Sequence, residues 1–464
     1  MNPARREIVL SALSWVAASA WGAAGGSGVS KTAFSGTWSA FVGSDNPPTR
    51  LKLVIGENGK GSLSVIDQGD LTLAQLDLSP PRLRFRTETP PIAYDGTLRG
   101  TNRIVGVCYR GNQGIPLDFV RGDLYTEPVE IVFPVAPLSA TRLHELRLMA
   151  RAPAMGVGWQ FAGMQAHILV DGRRSVDHPF AVEPSDQWHL GSVTKSMTAT
   201  LVARLVDAGT LTWLSTVGQI LGSQIGDMMP AYRDVTVLHL LSHHGGLPRD
   251  QEGQFKASDV HSSRLAYVRE ALQQPPSAPM GTQMAYSNAD YVVVALMLET
   301  LVGKPWEQLI ADFVFKPLHL KSAGFGSPGS PGRLDQPLGH SATATGLRPV
   351  RTDIPAVMGP AGQVHMNLRD LLTYLEAHRD MPTTFLSDES WTTLHTPPFG
   401  GDYALGWTVS GTGVLSHGGT NGKWKSEVLA DRASGLVCAG VANVLNNNTQ
   451  SALRQLLAGA RLSN

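Results

Sequence analysis

The stretch Gly191-Ser192-Val193-Thr194-Lys195 decides how this chain is interpreted. Apolar residues follow at helical spacing from Leu201 to Val206, and Gly209 ends the run. Residues three apart share one face of a helix, so Ser192 and Lys195 are predicted neighbours. A serine hydroxyl needs a base, and a lysine is one where burial and a helix dipole favour the neutral amine. Because Ser-x-x-Lys also arises by chance about once or twice in a chain of this length, further motifs must decide.

The second motif is Tyr286-Ser287-Asn288, which precedes an apolar helix predicted from Tyr291 to Leu301. A tyrosine beside a lysine ammonium can act as a second proton carrier. Asn288 can donate to and accept from a substrate amide. The alternative is that Asn288 only caps the helix.

The third motif, His417-Gly418-Gly419-Thr420, is predicted at the end of a strand. Two glycines leave the backbone bare, so a substrate could lie beside it as an added strand, with His417, Gly418 and Gly419 as binding residues. The backbone N–H groups of Thr420 and Ser192 are the predicted oxyanion hole. An ordinary glycine-rich hairpin turn is the alternative.

A similar run, His244-Gly245-Gly246, precedes the tyrosine motif and is interpreted as a loop. His239 and His243 have i, i+4 spacing on a predicted helix, which would suit a zinc ion. The glutamate of the metalloprotease pattern does not follow them. We therefore predict neither a metal nor a cofactor.

Composition bounds the class of protein. The 464 residues are 42% hydrophobic and 16% charged, enough for a sizeable core and two or three domains. Lys plus Arg equals Asp plus Glu at 38 each, so nothing indicates a nucleic-acid partner. The two cysteines, Cys108 and Cys438, are predicted to be unpaired and buried in strands.

Residues 1–28 are predicted to be a signal peptide and linker. Arg5 and Arg6 precede an apolar run from Ile8 to Ala20, which ends in an A-x-A-type cleavage site, Ala18-Ser19-Ala20. The run is too short for an integral membrane anchor. A periplasmic or secreted protein is expected, and the arginine pair leaves twin-arginine export open.

Residues 29–126 alternate in short runs separated by turn signals, which predicts an antiparallel β domain of about eight strands, a barrel or sandwich, with Trp38 in its core. A ligand-binding barrel and a packing or dimerisation module are both open. Residues 127–138 are a proline-punctuated linker.

Residues 139–464 form the second predicted domain. A helix runs from the Ser139 cap to about Ala150, and strands at 166–170 and 174–180 meet at an Asp171-Gly172 hairpin. A mostly helical stretch follows, and strands return from Tyr403 to Val444 before a last helix. This order predicts one antiparallel sheet built from distant pieces and flanked by helices, with a helical insertion.

In this order the motifs resemble the serine β-lactamase and penicillin-binding protein superfamily, of the class C, D,D-peptidase and esterase type. The resemblance covers about 150–445. It implies an α+β fold and an acyl-serine intermediate, with Ser192 as nucleophile, Lys195 as proton acceptor and Tyr286 as acid/base. The further matching runs are Leu240 to Pro248, Gly359 to Gln363 with Asp370 after them, and Leu405-Gly406-Trp407.

Two departures from the family pattern bear on the substrate. The usual Lys-Thr-Gly is His417-Gly418-Gly419 here, which weakens recognition of a carboxylate and resembles family members that act on esters. The chain also lacks a class A glutamate loop, so deacylation rests on Tyr286. Three functions are carried forward: a hydrolase of small esters or amides, a D-alanyl-D-alanine carboxypeptidase or β-lactamase, and a catalytically silent binding or sensor protein. The partner expected for the first two is a small ester, amide or peptide; the sequence predicts no oligomeric state.

Overall fold

The computed structural model describes residues 31–42, 49–65, 69–88, 92–110, 113–122, 135–248, 263–343 and 346–463. They form two compact units that divide between residues 133 and 134. The predicted signal segment, and the predicted linker up to residue 134, lie outside the described residues. In the described part of the chain, no helix is both long enough and apolar enough to cross a membrane.

The first unit is one antiparallel sheet, and its described residues contain ten strands rather than the eight predicted. The sheet includes three short strands, β4, β9 and β10, with three or four residues each. The order is β4-β3-β2-β1-β10-β8-β7-β6-β5, with β9 paired to β8. The strands are β1 (Gly36–Val42), β2 (Thr49–Ile55), β3 (Gly61–Val65), β4 (Gly69–Leu71), β5 (Leu73–Ser79), β6 (Arg82–Thr87), β7 (Ala93–Arg99), β8 (Arg103–Arg110), β9 (Gln113–Pro116) and β10 (Phe119–Arg121).

Aromatic side chains fill the interior of this sheet. Phe85 and Tyr94 stack with ring centres 5.1 Å apart, and Phe119 meets Tyr94 edge-on at 5.3 Å. Trp38 is fully buried, as predicted, and its Nε1 donates to the carbonyl of Phe34 at 2.7 Å. A small β-sheet interior packed in this way is a hydrophobic core, which favours the packing interpretation over a ligand-binding barrel.

The second unit is built on a six-stranded antiparallel sheet in the order β12-β11-β21-β20-β19-β18. Its first two strands precede Ser192 and the other four follow residue 400, which confirms the prediction of one sheet from distant pieces. The strands are β11 (Ala154–Phe161), β12 (His167–Gly172), β18 (Thr408–Val409), β19 (Leu415–Thr420), β20 (Lys425–Asp431) and β21 (Leu436–Ala442).

Helices occupy most of the chain between these two groups of strands, together with two small sheets. The small sheets are β13 (Gln187–His189), β17 (Val364–Asn367) and β14 (Gly324–Phe325), and β15 (Gly339–Thr343) with β16 (Gly346–Val350). The α-helices of the unit are α1 (Ala140–Met149), α2 (Thr194–Asp207), α3 (Val217–Leu221), α4 (Val237–Leu241), α5 (Arg264–Gln273), α6 (Asn288–Val302), α7 (Trp306–Ile310), α8 (Gly359–Gly362), α9 (Leu368–Asp380), α10 (Asp388–His395) and α11 (Asn447–Ala460).

Helices pack on both faces of the central sheet. On one face a Cβ at Gly158 would lie 3.1 Å from Leu372 of α9, and on the other a Cβ at Gly440 would lie 3.2 Å from Leu453 of α11. Successive strand residues point to opposite faces, so glycine lets each helix approach its own side closely. The result is the predicted α+β sandwich, with Ser139 as the N-cap of α1.

The hairpin predicted at Asp171-Gly172 is wrong. β11 and β12 pair through a turn at residues 162–166, Asp171 and Gly172 end β12, and 174–180 is not a strand. Gly172 has φ +105°, and a Cβ there would lie 2.1 Å from the carbonyl of Pro153. Close backbone approach, rather than a turn between strands, explains this glycine.

Candidate active site

Ser192 lies in a 3₁₀ turn, Gly191–Val193, that runs directly into the buried helix α2. The turn is pressed against β19: Gly191 has φ +52°, and a Cβ there would lie 2.2 Å from the backbone nitrogen of Thr420. Only glycine fits this approach without strain. The hydroxyl of half-buried Ser192 is thereby fixed at the point where α2 meets the central sheet.

The amine of Lys195 is fully buried and contacts three oxygen atoms. Nζ lies 3.1 Å from Oγ of Ser192, 2.5 Å from Oδ1 of Asn288 and 2.8 Å from the carbonyl of Ala361. A neutral amine has two hydrogens and one lone pair. Asn288 and Ala361 can only accept here, so they take the two hydrogens, and the lone pair is left for the Ser192 hydroxyl. The arrangement can therefore remove the proton of Ser192.

Tyr286 packs directly on this pair. Nζ of Lys195 lies 4.8 Å from the centre of the Tyr286 ring and 5.6 Å from that of Tyr291. The aromatic faces shield the amine from water and stabilise its charged form after proton transfer. The structure thus brings Ser192, Lys195 and Tyr286 together, although they come from separate helices and loops.

Asn288 is not the cap of its helix. The N-cap of α6 is Ser287, and Asn288 occupies the first turn with its side chain on Lys195. The capping alternative is therefore wrong. Asn288 positions the amine of Lys195.

The backbone nitrogens of Ser192 and Thr420 lie at the same contact between α2 and β19. A Cβ on Gly419 would lie 2.9 Å from the Ser192 nitrogen and 1.9 Å from the carbonyl of Leu190, so Gly419 is required by the close approach of these two backbones. β18 pairs only with Leu415 and Ser416, and beyond them no described strand covers this edge of β19. The geometry fits an oxyanion hole beside an open strand edge.

His417 is buried next to this edge and is neutral. Burial, and then the charge of Lys195, lower its pKa to about 3. Its Nδ1 lies 2.7 Å from the carbonyl of Gly418, which can only accept, so Nδ1 carries the proton. Nε2 then accepts from the hydroxyl of Tyr403 at 3.0 Å. Both ring nitrogens are used within the protein, and His417 offers no positive charge to a substrate carboxylate.

Gly418 faces the opposite side of the sheet. A Cβ there would lie 3.0 Å from Oε1 of Glu427 and 3.1 Å from Nζ of Lys425, two residues of β20 that pair at 2.8 Å. This ion pair is largely buried. Gly418 can contribute only its backbone to the site. A side chain at this position would crowd the ion pair of Lys425 and Glu427.

His243 is a site residue that the motifs did not identify as one. Helix α4 ends at Leu241, so His239 and His243 do not share a helix as predicted, and His243 has φ +62°. Its Nδ1 lies 2.6 Å from Oδ2 of Asp290, and its ring centre lies 4.3 Å from that of Tyr286. No group of three metal-ligating side chains occurs in the described residues.

The pair of His243 and Asp290 therefore supports the tyrosine. Burial, and then the charge of Lys195, keep the pKa of His243 well below its ordinary value, so the ring is neutral. Its Nδ1 lies between Oδ2 of Asp290 at 2.6 Å and the backbone nitrogen of Ser287 at 3.2 Å, which ties the ring to the residue after Tyr286. The sequence signal was the run Leu240 to Pro248, in which the polar residues Ser242, His243 and His244 stand between apolar leucines.

Comparison with known proteins agrees with this geometry. The family model described as Beta-lactamase matches residues 152–461, which is most of the chain. The chain belongs to the Beta-lactamase family.

Similar members of this family carry penicillin-binding and carboxypeptidase names. Penicillin-binding protein 4 of Amycolatopsis lactamdurans is 30% identical over 47% of this chain and 58% of its own length. The D-alanyl-D-alanine-carboxypeptidase/endopeptidase AmpH of Escherichia coli (strain K12) is 29% identical over 29% of this chain and 36% of its own. The chain thus spans less than two thirds of either relative.

A solved structure shares the fold of this chain. The octameric penicillin-binding protein homologue from Pyrococcus abyssi superposes with a TM-score of 0.60 at 21% identity, covering 70% of this chain and 78% of the other. The matched share is close to that of the unit after residue 134.

Proposed function

We propose that the protein is a serine hydrolase that cleaves small esters or amides through an acyl-Ser192 intermediate. The observation that carries the proposal is the 3.1 Å contact between Ser192 Oγ and Lys195 Nζ, with Asn288 and Ala361 occupying the other hydrogens of the amine. A catalytically silent binding protein would have no need of a buried amine held in this way.

In the acylation step, Lys195 takes the proton of Ser192 as Oγ attacks the substrate carbonyl. The carbonyl oxygen becomes an oxyanion and receives the N–H groups of Ser192 and Thr420. Tyr286 gives its proton to the leaving group as the carbonyl bond to that group breaks, and the ammonium of Lys195 restores the proton to Tyr286. The products are the acyl enzyme and the free alcohol or amine.

In deacylation, Tyr286 acts as general base. Tyr286 first passes its proton back to the amine of Lys195, which leaves a phenolate and an ammonium. A water molecule loses a proton to the Tyr286 phenolate as it attacks the acyl carbonyl, and Oγ of Ser192 leaves with a proton from the Lys195 ammonium. The acid product departs and both groups return to their starting protonation. No other carboxylate or histidine is needed, since His417 is bonded to Tyr403 and Gly418.

The chemistry around β19 supports esters and uncharged amides as substrates. His417 has no charge near neutral pH. A side chain at position 418 would point toward Glu427 and Lys425 rather than toward Ser192. A substrate carboxylate would have neither a cation nor a hydroxyl from these two positions. An acyl group with an apolar or neutral end is therefore the better fit.

A second candidate is hydrolysis of peptides ending in D-alanine, favoured by the likeness to AmpH. Turnover of p-nitrophenyl butyrate, nitrocefin and a D-Ala-D-Ala peptide separates the candidates. A kcat/KM highest for the butyrate supports the first, and one highest for the peptide supports the second.

Acylation itself is tested by mass spectrometry after treatment with a fluorophosphonate. One adduct on the peptide containing Ser192 is expected, and Ser192→Ala should show neither the adduct nor ester turnover. A Ser192→Ala protein that still hydrolyses the butyrate would contradict the proposal. Thr212→Ala, at an exposed hydroxyl in a loop of the same unit, is the control.

We also propose that the chain is exported, with residues 1–28 as its signal and linker, 29–126 and 139–464 as domains, and 127–138 between them. The basic head, apolar run and small-residue cleavage site support export. N-terminal sequencing of the protein recovered from the periplasm or medium tests it, and an intact Met1 would contradict it.

A further inference from the structure

Asp353 lies beside the oxyanion hole without belonging to any of the sequence motifs. Its Oδ2 lies 2.9 Å from Nε2 of His189, and the Nδ1 atom of that histidine accepts the backbone N–H of Gly191 at 3.1 Å. The Nδ1 lone pair is used, so Nε2 carries the proton and donates it to Asp353. The carboxylate is thus linked through one imidazole to the residue before Ser192.

The other oxygen of Asp353 contacts the segment that carries Thr420, the second residue of the proposed oxyanion hole. Oδ1 accepts from Nδ2 of Asn421 at 2.8 Å and from the backbone N–H of Ile354 at 2.6 Å. Asn421 directly follows Thr420, and its own Oδ1 accepts the N–H groups of Lys423 and Trp424 at 3.1 Å each. Asn421 therefore fixes the turn that ends β19.

We infer that Asp353 is a positioning residue that sets the separation of the two oxyanion-hole nitrogens, Ser192 N and Thr420 N. On one side it is connected through the His189 ring to the backbone of Gly191, which precedes the first nitrogen, and on the other it is bonded directly to Asn421, which follows the second. The inference rests on the proposed function, since it assigns a role only if these nitrogens bind an oxyanion.

A carboxylate suits this role better than any neutral side chain. Both of its oxygens are acceptors, and all three groups that face it are donors. Although burial raises the pKa of Asp353, the hydrogen bonds from His189 and Asn421 hold it below its ordinary range, so the charge persists.

An amide at this position would break the connection on one side or the other. If Nδ2 of Asp353→Asn faces His189, it opposes the Nε2 proton, or the imidazole moves its proton to Nδ1 and can no longer accept from Gly191. If Oδ1 faces His189, Nδ2 instead opposes the N–H groups of Ile354 and Asn421. Asn421→Asp breaks the connection between Asp353 and the end of β19, because a carboxylate cannot donate to Asp353. It keeps the Oδ1 acceptor for the N–H groups of Lys423 and Trp424. Both variants preserve size and the local turn.

The experiment measures how strongly the hole polarises the acyl carbonyl. The full-length protein is acylated with an ester carrying carbon-13 in its carbonyl, and the carbonyl stretch of the acyl enzyme is recorded by infrared difference spectroscopy. Both variants are expected to shift the stretch to higher frequency and to lower kcat roughly 10- to 100-fold, with KM changed much less. Misplaced donors polarise the carbonyl less, which explains both effects.

Asp370→Asn is the matched control. This carboxylate also ties a loop to a helix, accepting from the backbone N–H and hydroxyl of Ser322 at 2.6 and 2.7 Å, and its variant should leave the stretch unchanged. If Asp353→Asn does not fold, Asn421→Asp decides alone. An unshifted stretch in a folded, acylated variant overturns the inference, whereas a wild-type protein that cannot be acylated on Ser192 overturns the proposed function instead.

Discussion

Asn288 and the carbonyl of Ala361 determine what the amine of Lys195 can do. They accept the two hydrogens of the neutral amine at 2.5 and 2.8 Å. The lone pair of the amine is therefore directed to Ser192 Oγ at 3.1 Å. The ring faces of Tyr286 and Tyr291 close the remaining directions. In the proposed mechanism, the geometry at this one nitrogen atom makes Ser192 the nucleophile and Lys195 its base.

Lys195→Ala and Tyr286→Phe are each expected to lower kcat by at least about a hundredfold, the usual scale for a proton-transfer group. Tyr286→Phe keeps the ring against His243 and removes only the hydroxyl, so its effect isolates proton transfer. Steady-state hydrolysis of p-nitrophenyl butyrate measures both. Near-normal turnover in either variant would show that another group is the base.

A second buried histidine pair bears on stability. Nδ1 of His378 lies 2.9 Å from Nε2 of His395, and His378 continues through Thr200 to α2. Burial, and then the charge of Arg432, lower the pKa of His395 to about 4, and burial holds the pKa of His378 well below its ordinary value. Both rings are neutral in the folded protein at pH 7.

Acid is expected to destabilise the protein through this pair. In the unfolded chain His395 binds a proton below about pH 6.5, whereas in the folded protein it stays neutral down to about pH 4. The free energy of unfolding therefore decreases as pH falls between these two values. The loss is up to about 1.4 kcal/mol per pH unit for one histidine. Melting temperatures measured from pH 7 to pH 4.5 should fall less steeply for His395→Gln than for wild type. Exposed His178→Gln is the control, and equal slopes in all three would contradict the expectation.

At the scale of elements, the two faces of strand β19 contact different parts of the structure. Its Gly419 face packs on the main chain before α2, and its Gly418 face packs on the Lys425–Glu427 pair of β20. Alternation along the strand is what separates these roles. In the family pattern Gly418 takes the place of a substrate-binding threonine, whereas in the structure a Cβ at 418 would meet the carboxylate and amine of this ion pair at 3.0–3.1 Å.

Gly418→Thr is therefore not expected to restore carboxylate recognition. The new side chain must displace a largely buried ion pair, which we expect to cost about 1–3 kcal/mol of stability without raising kcat/KM for nitrocefin or the D-Ala-D-Ala peptide. Gly411→Thr, at a glycine with open space around it, is the matched control. A stable variant with improved turnover of either substrate would show that position 418 faces the substrate.

Most of the elements around the site follow from local sequence, and most of its supporting contacts do not. The motifs place Ser192 at a helix start and Thr420 at a strand end because capping, periodicity and glycine are local signals. The Asp171-Gly172 prediction fails because a glycine required by contact with Pro153 has the same appearance as a turn glycine. Asp353 and the pair of His243 and Asp290 are missed because their partners come from distant segments.

At the scale of the whole molecule, every side chain and backbone group of the site belongs to the unit after residue 134. The first unit has a complete core of its own around Trp38, Phe85 and Tyr94. Two units with separate cores are expected to fold separately.

A chain that begins at residue 135 is accordingly expected to fold and to keep kcat/KM for p-nitrophenyl butyrate within roughly threefold of the full-length value. Circular dichroism and ester turnover of the purified fragment measure this, with the Ser192→Ala fragment as the blank. A folded fragment without turnover would show that the first unit contributes to catalysis.

The contact between Gly191 and Thr420 has a consequence during biosynthesis. The nucleophile emerges from the ribosome long before the residue whose backbone completes its anion cradle. Until β19 joins the sheet, a nascent chain has the serine and the lysine but lacks the Thr420 N–H that would bind a tetrahedral adduct. If the proposed function holds, hydrolysis can therefore begin only once nearly the whole domain has been synthesised.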